Sequence, residues 1–574
     1  MFRTDKPWFR VYEGHAQPET EVYEGSLTDL FHAAVEEHRG KTALTFYGAT
    51  LDFAHLEALS ERMATSLSAR GVTKGDRVAL MLPNCPQYVV SFFATARLGA
   101  IATQLNPMYV EREIEHILND SGAETIVVYS VSGAETIVVY SGAYPRIKSV
   151  MGRTALKNVV VVDLMGEPEG LEAGHTGFAE LVAQDVEPAP PVEIEPAEEV
   201  AALQYTGGTT GVSKGAMLTH RNLVANVQQA LDVFIDDPAA FSDNQKIMGI
   251  LPFFHIYGFT CVMLFGIRQG LNQLLLPRFD AGEVMEVVRD EQPEMFAGVP
   301  TMYMALNSSG ADLKEHGFGE VRTFNSGGGP LPVNLKRAFE EKVGRTLYEG
   351  YGLSEASPVT HFNPPFTGES REGSIGVPVP STDARIVDVE TGNEEMPVGE
   401  SGELVIRGPQ VMKGYWNMPE ETAETLKDGW LHTGDVARMD EDGYFYIVDR
   451  KKDMIVASGY NVYPREVEEV LFEHESVAEA VAIGIPDEYR GETIKAFVVR
   501  RSGNEVTEEE ILAFCKPRLA PYKTPKTVEF RDDLPKSTVG KLLRRVLADE
   551  ERAKAEARAE AASKAPDAAP PSPS

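Results

Sequence analysis

Short runs of consecutive apolar residues alternate along this chain with segments in which apolar residues return every three or four positions. Val78-Ala79-Leu80-Met81-Leu82 and Val159-Val160-Val161-Val162 are too short for buried helices and lack polar alternation, so they read as strands covered on both faces. After Thr219, residues Leu223, Val227, Ala230 and Phe234 recur at helical spacing. A helix is therefore expected there, capped by the Thr219 hydroxyl, with that stripe turned to a core. Strands alternating with such helices place the chain in the α/β class. A smaller α+β unit begins near Lys451: residues 454–457 read as a strand, a helix starts at Pro464, and residues 477–483 and 494–499 read as further strands.

Three stretches break the pattern. Residues 185–199 are rich in Pro and Glu and read as an exposed connector. From Glu550 the chain turns to Ala, Glu and Lys and then to Pro and Ser, which reads as a fraying helix passing into a disordered tail over 550–574. The string Ser121-Gly122-Ala123-Glu124-Thr125-Ile126-Val127-Val128-Tyr129-Ser130 recurs at once as Ser132-Gly133-Ala134-Glu135-Thr136-Ile137-Val138-Val139-Tyr140-Ser141. A repeat fold needs several stacked units, so this lone pair reads as a local duplication or a sequence artefact, and two identical strands could compete for one place in a sheet, leaving the other looped out.

Charge narrows the partners. The chain carries 54 Lys and Arg against 87 Asp and Glu, a net charge of −33. That field repels phosphate backbones, and no nucleic acid partner is expected. Cys85, Cys261 and Cys515 are too few and too scattered for a disulfide framework or a metal knuckle, which points to a reducing cytoplasm. The opening Met1-Phe2-Arg3-Thr4-Asp5-Lys6-Pro7 has no apolar core of the signal-peptide kind. The most apolar helix-like run, residues 88–96, stops at Arg97, short of the ~18 to 20 residues that span a bilayer, so no transmembrane segment is expected.

The most informative polar segment is Tyr205-Thr206-Gly207-Gly208-Thr209-Thr210-Gly211-Val212-Ser213-Lys214-Gly215, which follows an apolar run and precedes the Thr219 helix. Glycines let backbone N–H groups approach an anion, hydroxyls add donors and Lys214 adds charge, so the segment reads as a phosphate cradle between strand and helix. It is no Walker A loop, because Lys214 follows Ser213 and precedes Gly215. The segment resembles the phosphate-binding signature of the adenylate-forming superfamily of acyl-CoA synthetases, luciferases and adenylation domains, and the other signatures of that family follow in order.

Tyr351-Gly352-Leu353-Ser354-Glu355 resembles the adenine and magnesium motif, with Ser354 where Thr is usual. A single carboxylate such as Glu355 suits Mg²⁺, which keeps waters and takes further ligands from phosphates. Trp430-Leu431-His432-Thr433-Gly434-Asp435 resembles the ribose motif, and Asp449-Arg450-Lys451-Lys452-Asp453 the interdomain junction. The resemblance puts Arg450 and Tyr446 on the nucleotide and Lys452 at the hinge. Gly459 and Tyr460 would line the pantetheine tunnel, and Lys541, in Pro535-Lys536-Ser537-Thr538-Val539-Gly540-Lys541, would be the catalytic lysine, acting with Thr206, Lys214 and Glu355. His255, Tyr257, Gly258 and Gly327 fall where the family builds its acyl tunnel, and Gly328 and Gly329 on the adenine side, Gly329 standing where Ala is frequent.

The resemblance covers roughly residues 31–548 and implies a large multi-subdomain N-terminal domain over 1–449 and a small mobile domain over 450–549. It implies an ATP-dependent acyl-CoA synthetase using ATP, Mg²⁺ and coenzyme A, which turns its small domain between two half-reactions. The opening Pro7-Trp8-Phe9-Arg10-Val11-Tyr12 and the Phe253-Phe254 pair resemble bacterial medium- or long-chain fatty acid ligases. An aryl acid ligase, a carrier-protein adenylation domain and a nucleotide-binding protein without turnover are the alternatives. No oligomeric state is legible, and a homodimer stands as an open expectation.

Overall fold

The computed structural model describes residues 6–130, 142–206 except 165, 167 and 169, 213–234, 245–457, 460–487, 491–537 and 542–563. The chain forms two compact units, one of residues 1–433 with 437–447, the other of residues 434–436 with 448–574.

The first unit holds two large sheets with parallel centres. In one, strands Val200–Thr206, Ile101–Gln104, Arg77–Met81, Thr125–Ser130, Asn158–Asp163 and Thr176–Gly177 run parallel in that spatial order, and Lys214–Thr219 and Gly414–Tyr415 extend one edge antiparallel. In the other, Leu347–Gly352, Thr323–Ser326, Met295–Gly298, Lys246–Gly249, Asn272–Leu275 and Thr42–Phe46 are parallel, flanked by antiparallel edges. Parallel strands are covered on both sides, so residues 78–82 and 159–162 are almost fully buried, as the unbroken apolar runs require. Helix His220–Phe234 starts where expected: the Asn222 amide donates to Thr219 Oγ1 at 3.1 Å and the Thr219 amide to Asn222 Oδ1 at 2.9 Å. Leu223, Val227, Ala230 and Phe234 are all buried. The Trp8 and Tyr12 side chains near the start are also buried, and Tyr12 donates its hydroxyl to Pro378 O at 2.7 Å.

The first copy of the duplicated string occupies the place between Arg77–Met81 and Asn158–Asp163 as strand Thr125–Ser130. Gly122, at φ 66°, ends helix Glu111–Ser121 directly before it, and Arg77 holds the turn by donating to Ser121 O and Gly122 O at 2.7 and 3.0 Å. The second copy, Ser132 to Ser141, lies outside the described residues.

The second unit is built on strands Ile455–Ala457, Gly491–Arg500 and Val477–Asp487, with Tyr460–Val462 at one edge and Thr527–Arg531 parallel to Gly491–Arg500. Helix Pro464–Phe472 packs on it with Pro464 in its first turn. Two expectations shift. The boundary falls at 447/448 rather than 449/450, and residues 434–436 join the second unit, because the Lys451 amide donates to Gly434 O at 3.0 Å and Arg450 pairs with Asp435. The start of the expected tail is ordered helix: Arg544–Ser563 is continuous, and Glu550 and Glu551 pair with Arg531 and Lys495. No described helix is long and apolar enough to cross a membrane.

Candidate active site

In the second large sheet, neighbouring parallel strands end side by side, and the motif residues follow those ends. Residues 250–258 follow Lys246–Gly249, residues 327–329 follow Thr323–Ser326, and Tyr351 and Gly352 close Leu347–Gly352. The carboxyl edge of a parallel sheet, where chain crossovers leave a crevice, is the general place for ligands in α/β folds. Close neighbours, backbone in one case and a ring in the other, explain two glycines there. A Cβ at Gly352 would lie 2.2 Å from Pro358 O, and one at Gly327 would lie 3.2 Å from the Tyr257 ring. The Tyr257 ring thus rests on the 327–329 turn. His255 precedes it and accepts the Tyr257 amide on Nδ1 at 3.2 Å, capping the short helix Ile256–Gly258. Tyr351 meets the buried His361 ring edge-on with centroids 6.0 Å apart.

The glycine-rich segment differs from expectation in its setting. It joins two antiparallel strands, Val200–Thr206 and Lys214–Thr219, with Thr206 opposite Lys214, instead of leading from strand to helix. Lys214 opens the returning strand, so the backbone ladder, not a helix terminus, fixes its place. Gly207, Gly208, Thr209, Thr210 and Gly211 lie outside the described residues, as do Gly459 and Lys541. The hairpin base is tied down. The Tyr205 hydroxyl donates to Asp120 Oδ2 at 2.5 Å, and Trp416 Nε1 donates to Asp120 O at 3.1 Å.

Lys214 and Glu355 are brought together by a residue absent from the motif reading. Tyr415 is buried on the edge strand that pairs with Lys214–Thr219; its hydroxyl donates to Glu355 Oε1 at 2.7 Å, and its ring centre lies 5.2 Å from Lys214 Nζ. Burial, followed by the Glu355 charge, drives the Tyr415 phenol far above its ordinary pKa, so it stays a donor. Ser354 and Glu355 sit in a single 3₁₀ turn, Ser354–Ala356, and the Met412 amide donates to Glu355 O at 2.8 Å. Lys214 Nζ is also ion-paired with Glu421. The only signal for Tyr415 in the sequence is the Gly414-Tyr415-Trp416 triplet, which carries no chemistry until the strand is placed.

In the second unit, Asp435 is buried and Arg450 Nε reaches Asp435 Oδ1 at 3.2 Å. Lys452 sits in the turn after them, and burial, then Arg450, pushes its ammonium down to about 8. Asp449 accepts the amides of Arg450 and Arg465 at 2.7 and 2.8 Å, and burial raises its carboxyl to about 6. In the first unit, the Tyr446 hydroxyl donates to Asp440 Oδ2 at 2.9 Å, and its ring stacks with Arg438 at 4.2 Å. Among the described residues no group of three or more His, Cys, Asp or Glu side chains forms a metal cage.

The AMP-binding enzyme family model matches residues 31–416, and the model of the AMP-binding enzyme C-terminal domain matches residues 466–541. The long-chain-fatty-acid–CoA ligase of Bacillus subtilis (strain 168) is 44% identical over 563 residues, covering 96% of this chain and 99% of that protein. A ligase of the same name from Escherichia coli O6:H1 is 41% identical over 565 residues, covering 93% and 96%. Among solved structures, ATP-bound MatB from Rhodopseudomonas palustris is similar with a TM-score of 0.81 at 31% identity, over 91% of this chain and 98% of that one.

Proposed function

The chain belongs to the AMP-binding enzyme family, and on that footing we propose that it is an ATP-dependent acyl-CoA synthetase whose acid is a medium- or long-chain fatty acid. The observation that carries the reading is the meeting of Lys214 and Glu355 around Tyr415, which puts a phosphate cation and a carboxylate fit for Mg²⁺ within one small region.

A fatty carboxylate is ionised at neutral pH and a poor electrophile. Its oxygen attacks the α-phosphorus of ATP, the bond from that phosphorus to the β-phosphate bridge breaks, and pyrophosphate leaves. The thiol of coenzyme A then attacks the acyl carbon, loses its proton, and AMP departs. No protein base is needed in the first step, so the residues act through position and charge. Lys214 and the loop of Thr206 to Gly211 hold phosphate oxygens, and Lys541 neutralises charge at the α-phosphate. Asp435 accepts the ribose hydroxyls beside Arg450, with Tyr446 on the nucleotide side. Tyr351, Gly352, Gly328 and Gly329 flank the adenine. His255, Tyr257, Gly258 and Gly327 face the acyl chain, Gly459 and Tyr460 the pantetheine arm, and Lys452 takes the hinge.

Glu355 fits Mg²⁺ by its donor set. Tyr415 fixes one oxygen of the hard Glu355 carboxylate and leaves lone pairs for a cation that draws its other ligands from water and phosphate. When bound, Mg²⁺ offsets charge on the phosphate oxygens.

A thioester-forming assay over C2 to C18 and aryl acids tests the substrate class. Highest kcat/KM on an aryl acid would replace the fatty acid reading, and absence of acid-dependent pyrophosphate release would remove the ligase reading. Lys541→Ala separates the steps. It should lose ATP–pyrophosphate exchange by ~10² to 10³ yet still turn a supplied acyl adenylate and coenzyme A into thioester. Exchange near the wild-type rate would return Lys541 to the surface.

A further inference from the structure

The ammonium of Lys214 already has an anionic partner. Its side chain is 16% exposed, that of Glu421 43% exposed, and the two are ion-paired with the Tyr415 ring 5.2 Å from the same Nζ. Glu421 is not a loose surface group that happens to touch a lysine. It stands on the short helix Pro419–Thr425, which is fastened to the edge strand: the Tyr415 amide donates to Thr422 Oγ1 at 2.9 Å, and the Thr422 hydroxyl donates to Met418 O at 2.8 Å. That strand pairs with the strand opened by Lys214, Tyr415 lying opposite Ala216. A strand ladder and a fastened helix thus deliver one carboxylate to one ammonium across 207 positions of sequence.

An ammonium is a compact point charge with three donors, and a phosphate that engages it meets the carboxylate there. Either the phosphate displaces Glu421 from Lys214, or it shares the ammonium and is repelled by a like charge at close range. Both outcomes weaken polyphosphate binding. The penalty falls on entering ATP, which has a nucleoside to hold it elsewhere, and on departing pyrophosphate, which has nothing but its phosphates. We propose that Glu421 is a positioning residue that holds Lys214 between turnovers and speeds loss of pyrophosphate by competing with it for the Lys214 ammonium. This rests on the reading of Lys214 as a phosphate-binding group.

The test compares Glu421→Gln, Lys214→Met and the double variant. Calorimetry with magnesium pyrophosphate and with a methylene-bridged ATP analogue gives binding, and steady-state assays give KM for ATP, KM for fatty acid and product inhibition by pyrophosphate. Glu421→Gln should bind magnesium pyrophosphate about three- to tenfold tighter, as expected for removal of a half-exposed competing charge. Pyrophosphate should inhibit at correspondingly lower concentration, with the KM for fatty acid unchanged. The gain should vanish when Lys214 is Met. Unchanged or weaker pyrophosphate binding by Glu421→Gln, beside a Lys214→Met protein that binds it poorly, overturns the role of Glu421 and keeps that of Lys214. A Lys214→Met protein that binds both probes like wild type overturns the phosphate reading of Lys214 itself.

Discussion

The Tyr415 hydroxyl donates to Glu355 Oε1 at 2.7 Å, so a residue 60 positions away sets the orientation of the carboxylate proposed to meet Mg²⁺. Tyr415→Phe removes that hydrogen bond and little else, since the ring stays. A hydrogen bond to a charged group contributes about 1.5 to 3 kcal/mol. The variant should need several-fold more Mg²⁺ for half-maximal ATP–pyrophosphate exchange, while its KM for fatty acid holds. An unaltered Mg²⁺ profile would show that Glu355 is oriented without Tyr415.

Two buried histidines predict acid sensitivity in the first unit. Burial pushes His361 down to about 3 and His220 to about 4, and His220 Nδ1 accepts the Leu27 amide at 3.3 Å, a bond its protonation would compromise. Both folded values lie below the unfolded value of about 6.5. The unfolded chain therefore binds more protons as pH falls, and stability held above about 6.5 is lost toward pH 4, at up to roughly 1.4 kcal/mol per pH unit for each histidine. Urea unfolding at several pH values between 7.5 and 5 should show His361→Leu with a slope shallower by about one proton. Parallel slopes would mean that His361 protonates in the fold.

Lys452 lies within the turn in which the Asp453 and Met454 amides both donate to Arg450 O, at 3.0 and 3.2 Å. Proline there fixes φ near −65° and restricts Lys451 as well. Lys452→Pro should keep adenylate formation and lose thioester formation. Equal loss of both half-reactions would remove the hinge assignment.

Arg544 binds Glu468 through Nη2 at 2.7 and 2.9 Å and Asp453 and Asp449 through Nη1 at 3.0 and 3.4 Å. Three carboxylates lose their common cation in Arg544→Met. Allowing for partial exposure, the second unit should lose about 2 to 4 kcal/mol. Calorimetric melting would register this as an earlier transition, and a melt unchanged within error would mean that the carboxylates find other partners.

Deleting residues 132–142 removes one copy of the duplicated string. With Thr125–Ser130 already in the sheet, melting temperature and activity should remain close to those of the full chain. Loss of folded protein would show that both copies are built in.

Much of the architecture was legible because its causes are local. Unbroken apolar runs made the parallel strands at 77–81 and 158–163, and Thr219 with the stripe from Leu223 to Phe234 made the helix. Lys214 and Glu355 were singled out by their motifs, and the fold brings both to Tyr415. The hairpin setting of the glycine-rich segment was not, because Lys214-Gly215-Ala216-Met217 is too short and mixed to announce a strand without its partner across the turn. Tyr415, Glu421 and Arg544 were invisible for a shared reason. Their partners lie 60, 207 and up to 95 positions away, and only the sheet ladders and the packed helix bring them into reach.

The duplicated strand also gives this protein a kind of insurance. Thr136-Ile137-Val138-Val139-Tyr140-Ser141 repeats Thr125-Ile126-Val127-Val128-Tyr129-Ser130 letter for letter, so either string would present the same side chains to Val78–Met81 and to Val159–Val162. A charge introduced at Val127 leaves Val138 intact as a replacement, with the connection before the strand longer by eleven residues and the one after it shorter by eleven; loop entropy rises only slowly with such added length. The same charge at Val160, in the adjacent strand, has no spare. Lesions in one strand of this sheet should then be better tolerated than those in its neighbour, and saturation mutagenesis of the two strands would test that asymmetry; equal sensitivity at Val127 and Val160 would show that the second string cannot stand in.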